Sequence, residues 1–486
     1  MNNKLYKSVE NNRAALCEMF GNSADFYTKK IRILGFDCCI CMFENLSSIE
    51  RLWIMMLDDL SKHEEVPHSA EELYDHIFAN SAIPIEKTPV TTFDEALIQL
   101  TAGTSVILID GINKAIVIST QSMQFRSVQE PSAEGNIRGS REGFTEPLRV
   151  NISLIRRLIR TKNLRTEILT IGEKTQTNIA LCYNADLVPQ DMLNEVRKKL
   201  KATKLPVLFD TGYLAPFLQK TGFSFFSAVG YTERPDTAAA KICEGKIVVL
   251  ANGSPTALIT PHFFSENFES MDDYSTKAYF ASFIRVMKYI AFFIAVMLPG
   301  IFVAIANFTP ELFPQQLVYK IAAAEQATPL PMFMEAVLIT FLLEIVREAG
   351  LRMPKAIGHS VSLVAALIVG DAAVSAGIIG TPIVIVAALT AICSFVIPSM
   401  YEPITVLRLM FVLSGGILGP IGIAIVFIFM LYNICEMKSF GIPYTALISP
   451  LSKSFWQDGI FRASWNKLNN TEFSVSKLSD NQGGVQ

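Results

Sequence analysis

The stretch VMKYIAFFIAVMLPGIFVAIAN, residues 286–307, carries a single charged residue, Lys288, and its reading decides the architecture. Four more apolar runs follow it, at residues 332–346, 360–379, 382–397 and 407–434. Crossing a bilayer core of roughly 30 Å takes about 20 apolar residues, because a helix satisfies its own backbone in lipid. The runs at 286–307 and 360–379 meet that length and the run at 407–434 exceeds it. Those at 332–346 and 382–397 are shorter and need flanking residues or a thinned bilayer. The pattern predicts a polytopic membrane domain.

Composition agrees. The chain has 486 residues, 50% of them hydrophobic, with a mean hydropathy of +0.35. The apolar excess is confined to the runs above, which divides the chain into four parts. Residues 1–130 and 131–280 read as two soluble α/β subdomains, the second including a connector. Residues 281–437 form a transmembrane helical domain, and 438–486 a polar tail. A formal charge of −3 gives no ground for nucleic-acid binding, and no basic-aromatic motif of a nucleic-acid binder is present. The first 20 residues lack the apolar core of a cleaved signal. Eight cysteines are scattered, with only Cys38, Cys39 and Cys41 grouped, which predicts ordinary buried thiols in a reducing compartment.

Within the soluble part, residues 7–20, 48–60, 70–78 and 92–100 read as helices and 36–43 as a strand. Residues 103–110 and 115–120 form a hairpin around Asp110-Gly111. The unit returns 142 positions later: Asp94, Gly103, Val106, Leu108, Gly111 and Ala115 recur as Asp236, Gly245, Val248, Leu250, Gly253 and Ala257, and Asp110 answers to Asn252. This is a hint of two related subdomains, set against the general likeness of helix-hairpin units. Between them lie a helix at 149–161, a strand pair at 167–171 and 178–183, and a helix at 189–200. The basic run Arg149, Arg156, Arg157, Arg160, Lys162 and Arg165 has two readings, a solvated helix face or attraction to anionic headgroups or an acidic neighbouring subunit.

Arg285 and Lys288 precede the first apolar core, and Arg347, Arg352 and Lys355 cluster after the second. Lys/Arg enrichment marks the cytoplasmic side, so the N-terminal part is expected in the cytoplasm and residues 307–332 outside. A basic tail also inside requires an even number of crossings, which five runs do not supply. Either the run at 407–434, broken at Gly415-Gly416 and Gly419-Pro420, forms two half-spans, or residues 312–326 are embedded too. Four to six spans are expected.

Ionisable groups at lipid depth are costly and face a cavity, a partner or the protein interior. Glu335, Glu344 and Asp371 are the ion-path candidates. Arg347 and Glu348 share a helix face with Glu344 and form a candidate ion pair or gate. Glu335, nine residues before Glu344, falls on nearly the opposite face, so the two require different neighbours. For all of them the competing reading is a buried pair or hydrogen bond that locks the fold. The chain has no Walker A loop, H-E-x-x-H, nucleophile elbow or paired metal ligands, and its five histidines do not group. Nothing in it points to an enzyme or to a cofactor.

Five stretches in order resemble one family. They are GSREGFTEPLRVNISLIRR (139–157), ERPD (233–236), GKIVVLANGSPTALITPHFFSENFESMDDY (245–274), MEAVLITFLLEIVREAGLRMP (334–354) and SFGIPY (439–444). Together they are similar to the A subunit of the GerA-type spore germinant receptors, or to its sporulation-stage paralogue. The resemblance covers residues 139–444 well and 1–130 only in outline, and FRASWNKL (461–468) lacks the family's proline after the arginine. It implies a protein of the spore inner membrane, assembled with a permease-like B subunit and a lipoprotein C subunit. In that picture B binds the nutrient and copies of A form a nutrient-gated cation channel. The alternative is a non-conducting scaffold or relay. Arg156, Arg157, Arg234 and Asp236 are then candidate partner or assembly contacts.

Overall fold

The computed structural model describes residues 3–48, 67–80, 86–121, 131, 134–135, 138–219, 223–352, 371–446, 458–468 and 475. The helix expected at 48–60 and most of the run at 360–379 lie outside them.

Two five-stranded antiparallel sheets make up the soluble part. The first contains β1 (Phe26–Ile33), β2 (Phe36–Phe43), β3 (Lys87–Val90), β4 (Ser105–Ile109) and β5 (Ala115–Ile118), in the order β1-β2-β4-β5-β3. The second contains β6 (Leu164–Ile171), β7 (Thr177–Asn184), β8 (Gly230–Thr232), β9 (Ile247–Ala251) and β10 (Ala257–Thr260), in the order β6-β7-β9-β10-β8. The second order is the first repeated strand for strand. In each half two helices cover one face: Val9–Met19 and Phe93–Thr101 in the first, Leu148–Leu158 and Pro235–Cys243 in the second. Both faces of the central strands are buried, so β4 and β9 read as unbroken apolar runs rather than alternating ones. Strands β1, β3 and β8, which the sequence reading did not anticipate, are edge strands with mixed exposure.

Side-chain detail repeats as well. Asp110 Oδ1 accepts the Val9 N–H at 2.9 Å, and Asn252 Oδ1 accepts the Leu148 N–H at 3.2 Å. Each hairpin turn therefore holds the first residue of its own half's leading helix, which satisfies one orphan donor there. The Gly111 N–H donates to the Lys7 carbonyl at 2.9 Å and the Gly253 N–H to the Glu146 carbonyl at 2.8 Å. Buried Asn12 clamps both backbone groups of Tyr6, and buried Asn151 does the same to Thr145.

The halves meet where β6 passes the start of β1. The Ala24 N–H donates to the Thr166 carbonyl at 2.9 Å, and the Thr166 N–H to Ser23 Oγ at 3.0 Å.

Among the described residues two helices are long and apolar enough, by length and composition, to cross a membrane, Ala278–Phe308 and Pro398–Glu436; Thr381–Phe395 is shorter. The apolar run at 332–346 extends into a helix of 21 residues, Met332–Arg352. The Tyr401–Glu436 helix is broken at Gly419, whose φ of 63° and ψ of −146° are not helical. Gly419 faces the ring of Phe308 at the end of the Ala278–Phe308 helix. Both ends of the broken helix return to the second α/β half: Ser399 donates to the Asn267 carbonyl, and Asn433 bonds residues 223–225. Residues 401–418 thus run outward and 420–436 run back, each leg about 17 residues or roughly 26 Å. The break falls at the Gly419-Pro420 pair that the sequence marks. Gly300 and Gly415 cross at close range, a Cβ on Gly415 standing 2.5 Å from the Gly300 carbonyl oxygen. Small residues are what such a crossing requires.

Described residues after Glu436 pack back onto the second half. Ile442, Ala446 and Val475 are buried in the second half's core, and the Val475 N–H donates to the Glu244 carbonyl at 2.9 Å.

Candidate functional site

Five of the ten buried charged side chains among the described residues, Lys246, Glu266, Asp273, Arg285 and Arg462, lie at the junction between the second α/β half and the apolar helices. Lys246, at the start of β9, is fully buried, pairs with Glu266 and lies 4.6 Å from the Phe263 ring centroid. Lys241, from the helix packed on the same sheet, reaches Glu266 at 2.7 Å, Glu244 at 3.0 Å and Glu269 at 3.4 Å. Glu266 is fixed by its own turn, where its Oε2 accepts the Phe263 N–H at 2.8 Å, and His262 Nδ1 stands 3.3 Å from that oxygen. Burial opposes ionisation of Glu266, but Lys241, Lys246 and His262 outweigh it and hold its carboxyl well below the usual range. Burial pushes Glu269 up to about 7 against the pull of Lys241 and Arg285, and pushes His262 down to about 4.

The network continues into the first long helix. Asp273, held by the Ser270 hydroxyl at 3.0 Å, accepts from Arg285 Nε at 2.7 Å. Arg285 is fully buried and also pairs with Asp458 at 3.1 Å, to which the Tyr274 hydroxyl donates at 3.0 Å. Arg462 donates to the Tyr274 and Thr276 carbonyls and lies over the Trp465 ring. Arg285, which the sequence reading took as a basic residue before the first apolar core, has its charge paired inside the protein.

Within the helical part, Glu335 and Glu344 have different neighbours, as their spacing requires. Glu335 is buried, and its Oε2 accepts the N–H of Gly380, the N-cap of the Thr381–Phe395 helix, at 2.9 Å. Its Oε1 has no partner among the described residues, and the residue lines a cavity of about 10 Å³ with Glu325 and Pro382. Glu344 pairs with Arg408, accepts from the Tyr401 hydroxyl at 3.2 Å, and lies 3.6 Å from Arg347. Arg347 covers the Tyr401 ring. Glu348 pairs with Arg352 at 2.6 Å, so Arg347 and Glu348 point to separate carboxylate and guanidinium partners rather than to each other. Asp371 is exposed, with no polar partner among the described residues.

The soluble candidates are engaged within the chain. Arg156 is fully buried and forms a bidentate pair with Asp25, Nε to Oδ2 at 2.9 Å and Nη2 to Oδ1 at 3.0 Å, tying the second half to the first. It also donates to the Leu164 carbonyl at 3.1 Å and lies over the Phe43 ring. Neither a solvated face nor a lipid-facing one describes it, because its donors are directed inward. Arg157 pairs with Glu142, and Arg149 with Glu44 of the first half. Arg234 is buried and bidentate to Asp236, at 3.0 and 2.6 Å, and donates to the Ser140 carbonyl at 2.8 Å. The ERPD motif is thus a clasp between residues 134–144 and the Pro235–Cys243 helix, with the Phe144 N–H donating to the Glu233 carbonyl at 2.7 Å.

Two features escaped the sequence reading. Arg408 is a charge inside an apolar run, a signal strong enough to have been singled out. Lys246 and Glu266 gave no comparable signal, since each looks like an ordinary surface charge beside an apolar segment. Of the thiols, Cys243 and Cys435 are exposed rather than buried, and all eight are free. Among the described residues no group of three His, Cys, Asp or Glu side chains could hold a metal.

Paired α/β sheets, tied by buried charge to a bundle with membrane-length helices, define a membrane-associated protein with a large soluble N-terminal part. The chain belongs to the Bacillus/Clostridium GerA spore germination protein family, whose profile matches residues 14–473. It is 33% identical over 477 residues to spore germination protein KA of Bacillus subtilis (strain 168), covering 97% of this chain and 87% of that one. It is 34% identical over 430 residues to the uncharacterized membrane protein YfkQ of the same strain, covering 88% and 82%. With spore germination protein GerLA of Bacillus cereus the identity is 32% over 449 residues, covering 91% and 90%. Among solved structures it is similar to the N-terminal domain of the A subunit of the Bacillus megaterium spore germinant receptor GerK3. The TM-score is 0.43 at 24% identity, covering 54% of this chain and 97% of that one.

Proposed function

We propose that the protein is a membrane subunit of a spore germinant receptor whose copies assemble into a nutrient-gated cation channel that starts germination. In this reading residues 281–437 are the transmembrane domain of four to six spans, in the inner membrane of the spore, and the soluble part faces the cytoplasm. The partners are a permease-like B subunit, which takes the nutrient, and a lipoprotein C subunit. The observation that carries the reading is the Met332–Arg352 helix. It holds two carboxylates at the depth of an apolar bundle, and one of them, Glu335, has an unpartnered buried oxygen and lines a small cavity. Acidic side chains along a watery path select cations. The junction network would carry a change in the soluble half into the first long helix through Arg285.

One observation favours the second reading, a non-conducting relay. The charge of Glu344 is matched within the same chain by Arg408, leaving less of it for a passing ion. Flux decides between the two. Protein reconstituted in liposomes with its partner subunits is expected to pass monovalent cations, with Glu335→Gln and Asp371→Asn lowering the current while leaving assembly unchanged. Assembled complexes that pass no ions would establish the relay.

A further inference from the structure

We propose that residues 223–226 form an interfacial wedge, seating the second α/β half in the bilayer surface with the Phe223 ring at the boundary between headgroups and acyl chains. This holds only if the Tyr401–Glu436 helix lies in lipid, as proposed above. Phe223 is 77% exposed, the most exposed of the large apolar side chains described in the soluble half. It stacks edge-on against Phe225, with centroids 4.9 Å apart, and Phe225 packs in the same manner on Phe429 at 5.8 Å. Phe429 stands seven residues before the helix end at Glu436, roughly 10 Å along the axis. The loop therefore lies beside the last two turns of an apolar helix, and not beyond its end.

A loop at that depth must have its backbone groups satisfied by protein, because lipid offers no partners. Asn433, buried on the same helix, does this for the Phe223 carbonyl and the Phe225 N–H. Its Oδ1 accepts from the Phe225 N–H and the Ser224 hydroxyl, both at 3.1 Å, and its Nδ2 donates to the Phe223 carbonyl at 3.3 Å. Ser224 Oγ in turn accepts the Phe226 N–H at 3.1 Å. The ring of Phe223 is left exposed while its carbonyl, the Ser224 hydroxyl and the Phe225 and Phe226 N–H groups are paired within the protein. Tyr432, exposed beside Asn433, and Lys438, exposed just past the helix end, complete the aromatic and basic set that marks a headgroup layer.

Phe223→Trp in the full chain tests this, in a background where Trp53, Trp456 and Trp465 are replaced by Phe. The protein is reconstituted in phosphatidylcholine–phosphatidylglycerol vesicles containing lipids brominated either near the headgroup or near the chain end. Emission from the new tryptophan should be blue-shifted and quenched more by the shallow bromines than by the deep ones. Phe293→Trp, an exposed position midway along the Ala278–Phe308 helix, is the companion and should be quenched by the deep bromines. Quenching of the companion alone overturns the wedge while leaving the membrane reading intact. No quenching of either overturns the membrane reading itself. Emission from the Phe223→Trp protein that is blue-shifted but unquenched overturns the lipid assignment in favour of a protein partner on this face.

Discussion

Arg156→Met isolates the contact that ties the two α/β halves together. The Arg156–Asp25 pair has side chains 1% and 5% exposed, so water screens it little. Removing the guanidinium leaves Asp25 buried with the Ser23 hydroxyl, at 2.5 Å, as its only side-chain partner among the described residues. It also strands the Leu164 carbonyl that Arg156 satisfied. Breaking a buried pair from one side costs about 3–5 kcal/mol. For a cooperative unit of this size that corresponds to a fall in Tm of about 6–20 °C. Calorimetry on the full chain in detergent reads the shift, and hydrogen exchange at Ala24 and Thr166 reads whether the seam opens. Arg156→Met with Asp25→Leu should recover much of the loss, since replacing both members of such a pair is often near neutral. If both single variants cost under about 1 kcal/mol and the double is additive, the pair is not what joins the halves.

Glu269→Gln should stabilise the protein more at pH 8 than at pH 5. Its folded-state carboxyl is raised from 4.5 to about 7, so the folded form favours the proton and loses stability as pH rises through that window. Lys241, Glu266, Arg285 and Asp458 face it, and His262, lowered to about 4, gives the opposite slope below 6.5, so the comparison is with wild type at each pH. Gly415→Leu should prevent the Gly300 crossing, its Cβ alone standing 2.5 Å from the Gly300 carbonyl oxygen; the cost is about 1–3 kcal/mol or more, read as loss of monodisperse protein in detergent. Maleimide should label Cys243 and Cys435 rapidly in the folded protein and Cys39, Cys41 and Cys182 only after denaturation.

The sequence carried the positions of most helices and strands, because both sheets are buried on two faces and leave unbroken apolar runs between turn residues. The repeat was visible only in part. The helix-hairpin units are offset by 142, but Asn12 and Asn151, like Lys7 and Glu146, are offset by 139. The three-residue difference hides the equivalence of the leading helices from a fixed-period comparison. The expected meaning of charges failed where pairing is long-range. Arg156 meets Asp25 across 131 positions and Arg408 meets Glu344 across 64, and no local spacing rule reaches that far. Arg234 and Asp236 pair locally, and there the motif itself was the signal.

Both ends of the helical bundle are fastened to the same α/β half, and this limits how the two can move. Arg285 holds the start of the first long helix to Asp273 and Asp458, while Asn433 and the buried Ile442 hold the end of the last. A tilt of that half therefore cannot release one end alone without stranding the buried charge of Arg285 at the first helix or the buried amide of Asn433 at the last. Among the described residues the first half has no such fastening. It reaches the second through Arg156, Arg149 and the β1–β6 seam, all far in sequence from the helices. A signal that starts in the first half has to turn the second as a rigid piece, and the bundle must follow at both ends together. The buried pairs at the junction make that coupling stiff, since their partners are lost as a set or kept as a set.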